Sequence, residues 1–149
     1  MQFKECYQNP FIEERADPYI TLGPDGFYYF TASYPMKSAD DKDGYDRVIL
    51  RRAKDISELA SAEEITIWKV ADTTLTHRFI WAPELHYIAG RWYVFYAGSE
   101  DKENNWAFDC HVLVCDSDDP YTGTWSEKGK FQKREDDDFS FTGFSLDMT

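Results

Sequence analysis

ADPYITLGPDGFYYFTAS (Ala16–Ser33) and WAPELHYIAGRWYVFYAGS (Trp81–Ser99) follow one pattern. In each, a proline opens a short apolar run, a glycine turn closes it, and a strongly aromatic run returns. Tyr19–Leu22, Pro24-Asp25-Gly26 and Phe27–Ser33 read as strand, turn and strand, a hairpin. Past an acidic stretch, Arg47–Ala53 and Ile65–Val70 read as two more strands, and Asp55–Leu59 as a helical turn capped by Asp55. The order then recurs: Glu84–Ile88, a turn at Ala89-Gly90, Arg91–Ala97, His111–Cys115 and Trp125–Gly129. Gly26 and Gly90 stand at equivalent turns, 64 residues apart.

Two four-stranded antiparallel units of this length have the form of β-propeller blades. An eight-stranded β-sandwich would explain the hairpins equally well, and the repeat is what favours the propeller. The expected fold is therefore all-β and a partial propeller. Blade one covers about 16–72, blade two about 79–131, and the start of blade three about 142–149, so the propeller is expected to be incomplete.

Composition narrows the function. The chain has 149 residues, 42% of them hydrophobic and 17% aromatic, enough for one domain with a sizeable core. With 28 acidic and 16 basic residues its net charge is −12, which repels nucleic-acid phosphates and anionic membranes. Neither is an expected partner, and no stretch approaches the ~18 apolar residues of a membrane span. The runs Asp40–Asp43 and Glu135–Asp138 read as solvated loops, without the glycine and closing glutamate of a calcium loop. The histidines form no HxH or HExxH pattern, and Pro83 lies between His77 and His86, so no metal site or cofactor is expected. Cys6, Cys110 and Cys115 form no CxxC pair, and Cys110 and Cys115 face opposite sides of a strand, as separate thiols do. Those thiols, with no secretory signal at the N-terminus, give a cytoplasmic expectation, or an extracellular one if a signal has been removed.

Three stretches together resemble glycoside hydrolase family 43, the five-bladed propeller enzymes acting on arabinose- and xylose-containing plant polysaccharides. They are Ala16-Asp17-Pro18-Tyr19-Ile20 with GFYYFTAS, Trp81-Ala82-Pro83-Glu84-Leu85 with GRWYVFYAGS, and Phe144-Ser145-Leu146-Asp147-Met148-Thr149. The resemblance implies an inverting glycosidase, of α-L-arabinofuranosidase type with β-xylosidase second. Such enzymes need a carboxylate that activates water and a carboxylic acid about 6.5–9.5 Å away that protonates the leaving oxygen. By this resemblance Asp17 is the general base, and Asp147 tunes and positions the acid by like-charge proximity.

The family's acid is a glutamate from a later blade, outside these 149 residues. The chain alone is therefore expected to be nearly inactive, since losing general acid help costs ~100- to 10,000-fold. The implied substrate is a carbohydrate. Trp81 is a candidate sugar platform, Glu84 and Arg78 are candidate substrate contacts, and Trp106 is a candidate rim residue on the polar loop 99–106. Against these stand the plainer readings: turn residue for Asp17, core aromatic for Trp81, structural hydrogen bond for Glu84, surface ion pair for Arg78 and loop anchor for Trp106. A non-catalytic carbohydrate-binding or interaction remnant is the alternative function, an unrelated sandwich lectin a third. An open propeller edge would allow self-association.

Overall fold

The computed structural model describes residues 9–37, 44–72, 76, 78–100 and 108–131. Asp147, Trp106, Cys6, His77, both acidic runs and the expected start of a third blade lie outside the described residues.

Eight strands form two sheets. The first holds β1 (Ala16–Leu22), β2 (Tyr28–Ser33), β3 (Arg47–Ala53) and β4 (Ile65–Lys69), in that order across the sheet and antiparallel throughout. The second repeats the plan with β5 (Arg78–Ile88), β6 (Arg91–Ser99), β7 (Phe108–Cys115) and β8 (Trp125–Lys130). Each sheet is a simple meander. A Greek-key sandwich would require a strand to cross to another position or sheet, and none of the described strands does. Between the sheets, contact concentrates where β5 meets β1 and β2, so the leading strands of the two units are neighbours, as in adjacent propeller blades.

The local chemistry of the turns explains the hairpins. Ala89 and Gly90 both have positive φ, 50° and 83°, the geometry of a type I′ turn, and Ile88 pairs with Arg91 across it. In the first hairpin the Asp25 carboxylate accepts from the Phe27 N–H at 3.1 Å, and Gly26, at φ 73°, donates to the Gly23 carbonyl at 3.0 Å. The helical turn is a 3-10 turn over Ile56–Glu58, capped by Asp55, whose carboxylate accepts from the Ser57 N–H at 2.8 Å.

One core joins the two sheets. Tyr29, Val48 and Leu50 from the first pack with Leu85, Trp92, Val94, Tyr96 and Leu113 from the second. Trp92 is 1% exposed, with its ring edge-on to Tyr29 at 5.1 Å and to Tyr87 at 5.0 Å, and its indole N–H donates to the Asp118 carbonyl at 2.9 Å. Polar links cross the same seam: Arg52 Nη1 donates to Asp119 Oδ1 at 2.8 Å, the Tyr121 hydroxyl to the Glu63 carbonyl at 3.0 Å, and the Ile80 N–H to the Tyr45 carbonyl at 2.7 Å. Just before β1, Arg15 bonds Glu64, which also accepts from Arg51 at 3.0 Å. Burial pushes the Glu64 carboxyl up, but the two guanidinium groups outweigh it and hold it below the usual carboxylate range. The approach to β1 is thus tied to the far side of its own sheet.

Cys110 and Cys115 lie on β7 as free thiols. Cys115 belongs to the shared core, and Cys110 pairs with Ala97 on the opposite face. Among the described residues no group of three or more His, Cys, Asp or Glu is placed to hold a metal ion, and no helix is long and apolar enough to cross a membrane.

Candidate functional site

β1 and β5 are each the edge strand of their own sheet, which is where a strand tolerates proline, since no ladder donor is lost there. Both use the tolerance in the same way. Asp17, before Pro18, has φ 49°; Ala82, before Pro83, has φ 43°. Each lies where the register slips, between Ala16 and Tyr19 in the first hairpin and between Trp81 and Glu84 in the second. These are β-bulges, which bend an edge and re-aim a side chain. β5 carries another at Phe79, φ 58°, between Arg78 and Trp81. The left-handed region costs an ordinary residue of order 1–3 kcal/mol and persists where surrounding contacts impose it; Asp tolerates it better than Ala.

The contact that imposes it here is Ser33. It ends β2, pairs with Ala16 across the ladder and is fully buried. Its Oγ accepts from the Ala82 N–H at 2.7 Å and donates to Asp17 Oδ2 at 3.0 Å. One hydroxyl therefore joins the bulge at Asp17 to the bulge at Ala82, 49 residues beyond Ser33 in the chain, and orients the carboxylate. Asp17 itself is exposed. An ionised carboxylate accepts at two oxygens, so with Ser33 on Oδ2 the group retains capacity to accept from water or a sugar hydroxyl.

Further along the same two strands, the Tyr19 ring lies 5.2 Å from the His86 ring, and His86 Nε2 is 3.0 Å from Glu84 Oε2. Glu84 and His86, two apart on β5, share one face, and their side chains are only 12% and 16% exposed. Burial, and then the Glu84 charge, push the Tyr19 phenol up. The same two causes push the Cys110 thiol up to about 12, so it stays protonated and is no nucleophile at neutral pH. Glu84 is thus placed in a structural hydrogen bond at the meeting of β1 and β5.

Trp81 stacks on Phe108 with ring centroids 4.4 Å apart and an interplanar angle of 25°. Phe79 and Tyr45 complete the cluster at 5.4 and 5.6 Å. Phe108 covers one face of the indole. Arg78 opens β5 opposite Ser99. Asp17, Trp81 and Glu84 are thus gathered on or beside the two leading strands, with Ala82 as their hinge. A separate cavity of about 290 Å³ lies on the outer face of the second sheet, lined by Ile88, Tyr93, Phe95, Val112, Lys128 and Phe131 among others. Among the described residues that line it none is a carboxylate.

Reading the sequence missed Ser33. A signal was present: both aromatic strands end on serine, and Ser33 and Ser99 are both fully buried, unusual for a hydroxyl at a strand end. It also began the fifth strand at Glu84, whereas β5 begins at Arg78. The bulges at Phe79 and Ala82 break the alternation that would have extended the strand backwards.

Comparison with known proteins follows the same lines. The profile of glycosyl hydrolases family 43 matches residues 7–147. The chain is 41% identical over 143 residues to an extracellular exo-α-(1→5)-L-arabinofuranosidase of Streptomyces chartreusis, covering 96% of this chain and 39% of that protein. The identity is the same with the Streptomyces avermitilis protein of that name, of which 27% is covered. Among solved structures, an α-L-arabinofuranosidase from Lactobacillus brevis superposes with a TM-score of 0.75 at 37% identity, over 96% of this chain and 42% of that one. The chain therefore spans between about a quarter and two fifths of the length of these relatives. The two Streptomyces proteins are named as extracellular, which gives no support to a cytoplasmic location.

Proposed function

The chain belongs to the glycosyl hydrolases of family 43, as two blades of their β-propeller, and from that membership we propose that it serves an inverting hydrolysis of α-L-arabinofuranosyl linkages in which Asp17 is the general base. The observation that carries this is the Asp17 carboxylate itself: exposed, turned out of a left-handed bulge and fixed through one oxygen by a buried serine. A base must keep a lone pair for the attacking water while its own rotamer stays still. In the hydrolysis the water loses a proton to Asp17 as its oxygen attacks the anomeric carbon from the face opposite the leaving group. The leaving oxygen takes a proton from a carboxylic acid on the other side, and the anomeric configuration inverts. The family resemblance assigns that acid to a later blade and its tuning to Asp147.

The substrate class follows from the relatives' names, α-L-arabinofuranosidases at 37–41% identity. Trp81 is proposed as a wall of the sugar site, and Arg78 and Trp106 as further contacts. Glu84 supports the site by holding His86 against Tyr19. An extracellular place of work is proposed from the two Streptomyces relatives.

The test is Asp17→Asn in the protein carrying these residues in its complete reading frame, assayed on an aryl α-L-arabinofuranoside. Turnover is expected to fall about 100- to 10,000-fold with KM nearly unchanged, and the unmutated protein should release the β-anomer first, seen by proton NMR. Wild-type turnover by Asp17→Asn would rule it out as base.

A further inference from the structure

We propose that Ser33 is the positioning residue for Asp17, and that it makes the orientation of that carboxylate depend on how the second sheet docks against the first. The inference rests on the reading of Asp17 as the general base.

The hydrogen-bond directions are fixed by valence. The Ala82 amide can only donate, so at 2.7 Å it occupies a lone pair of Ser33 Oγ. An ionised carboxylate can only accept, so the single Ser33 proton goes to Asp17 Oδ2 at 3.0 Å. The chain of donors runs one way, from the backbone of β5 through the hydroxyl to the carboxylate. Each bond polarises the next, and the last is made to an ionised group. Ser33 is 0% exposed, so no bulk water stands ready to replace the hydroxyl.

The Ala82 bulge is what frees this donor. A regular edge strand would set the amide in line with the β5–β6 ladder or with solvent; at φ 43° it is turned instead toward the first sheet. An energetically costly backbone at one alanine thereby serves a carboxylate on another sheet. The same contact settles which Asp17 oxygen is engaged: Oδ2 is held by Ser33, leaving Oδ1 to take the proton from water. Ser33 never touches substrate in this arrangement. It acts only by holding the base.

The experiment uses the protein in its complete reading frame, with Ser33→Ala, Ser33→Thr and Asp17→Asn measured on an aryl α-L-arabinofuranoside together with thermal unfolding. Removing the hydroxyl lets Asp17 leave its rotamer, so Ser33→Ala is expected to lower kcat about ten- to hundredfold. KM should stay within about twofold, because no substrate contact is lost. Ser33→Thr keeps the hydroxyl and should recover most of the lost kcat, whereas Ser33→Ala should also melt below the parent because the Ala82 N–H loses its acceptor. An inactive Asp17→Asn beside a Ser33→Ala with parental kcat overturns the positioning role and leaves the base in place. Parental turnover by Asp17→Asn overturns the base reading itself. A Ser33→Ala whose kcat and unfolding midpoint fall together, with Ser33→Thr no faster, makes Ser33 a packing residue and also overturns the proposal.

Discussion

Trp92 offers the strongest test of the claim that the two sheets fold as one body. Its indole is 1% exposed and lies edge-on to Tyr29 of the first sheet at 5.1 Å. Truncation to alanine removes the burial of a large aromatic, leaves a cavity that neighbouring rings fill only in part, and strips the Asp118 carbonyl of its indole donor, 2.9 Å away. Core Trp→Ala changes cost about 3–5 kcal/mol, and the lost hydrogen bond places this one in the upper part of that range. Trp92→Phe keeps much of the ring contact and loses the donor, so about 1–3 kcal/mol is expected. For a domain of this size each kcal/mol corresponds to roughly 2–4 °C of unfolding midpoint, so Trp92→Ala should melt roughly 6–20 °C below the parent. Urea unfolding followed by near-ultraviolet circular dichroism and by tryptophan fluorescence measures the free-energy loss, and thermal unfolding measures the shift in midpoint. The two probes should shift together, because Trp92 belongs to the core of both sheets. Two separated transitions, or a loss below about 1 kcal/mol for Trp92→Ala, would refute a shared core.

Two further outcomes concern the second sheet. At Gly98 an added Cβ would fall 2.8 Å from Thr76 Oγ1, 2.9 Å from Thr76 Cγ2 and 3.0 Å from His111 Cδ2. Gly98→Ala should therefore destabilise by about 1–3 kcal/mol through overpacking, read by urea unfolding, and Thr76→Ser in the same chain should recover part of it by removing the crowding methyl. His111 is buried, and that burial lowers its pKa despite Glu100 at 3.7 Å and Asp109 nearby, with Lys130 adding to the depression. The folded protein thus holds His111 neutral while the unfolded chain protonates near pH 6.5. Stability contributed by this group is complete above about pH 6.5 and declines as pH falls through that value toward the lower folded pKa. Urea midpoints at pH 7.5 and 5.5 should differ in the parent and differ less in His111→Gln.

The strands were legible in the sequence because their signals are local. Alternating apolar positions and glycine turns at Gly26 and Gly90 specify hairpins through neighbours a few residues apart, and the repeat between Ala16–Ser33 and Trp81–Ser99 turns two hairpins into two like units. The Asp55 cap was legible for the same reason, since its partner is Ser57. The candidate base was recognisable only because three motifs in order resembled a family; an Asp-Pro pair by itself reads as a turn.

What stayed hidden depends on groups distant in the chain. The bulges at Asp17, Phe79 and Ala82 break the alternation that marks a strand, and only their registers against β2 and β6 show that the strands continue. Glu84, readable as a substrate contact or as a structural hydrogen bond, bonds His86 where that ring meets Tyr19 of the other sheet. Trp81, readable as a core aromatic or as a sugar platform, stacks on Phe108, a partner 27 residues on. Sequence by itself determined two meandering units, their turns and the family to which they belong. Tertiary structure decided which carboxylate oxygen is held and by what, because Ser33 meets Asp17 and Ala82 only once two edge strands, each bent beside a proline, are packed side by side.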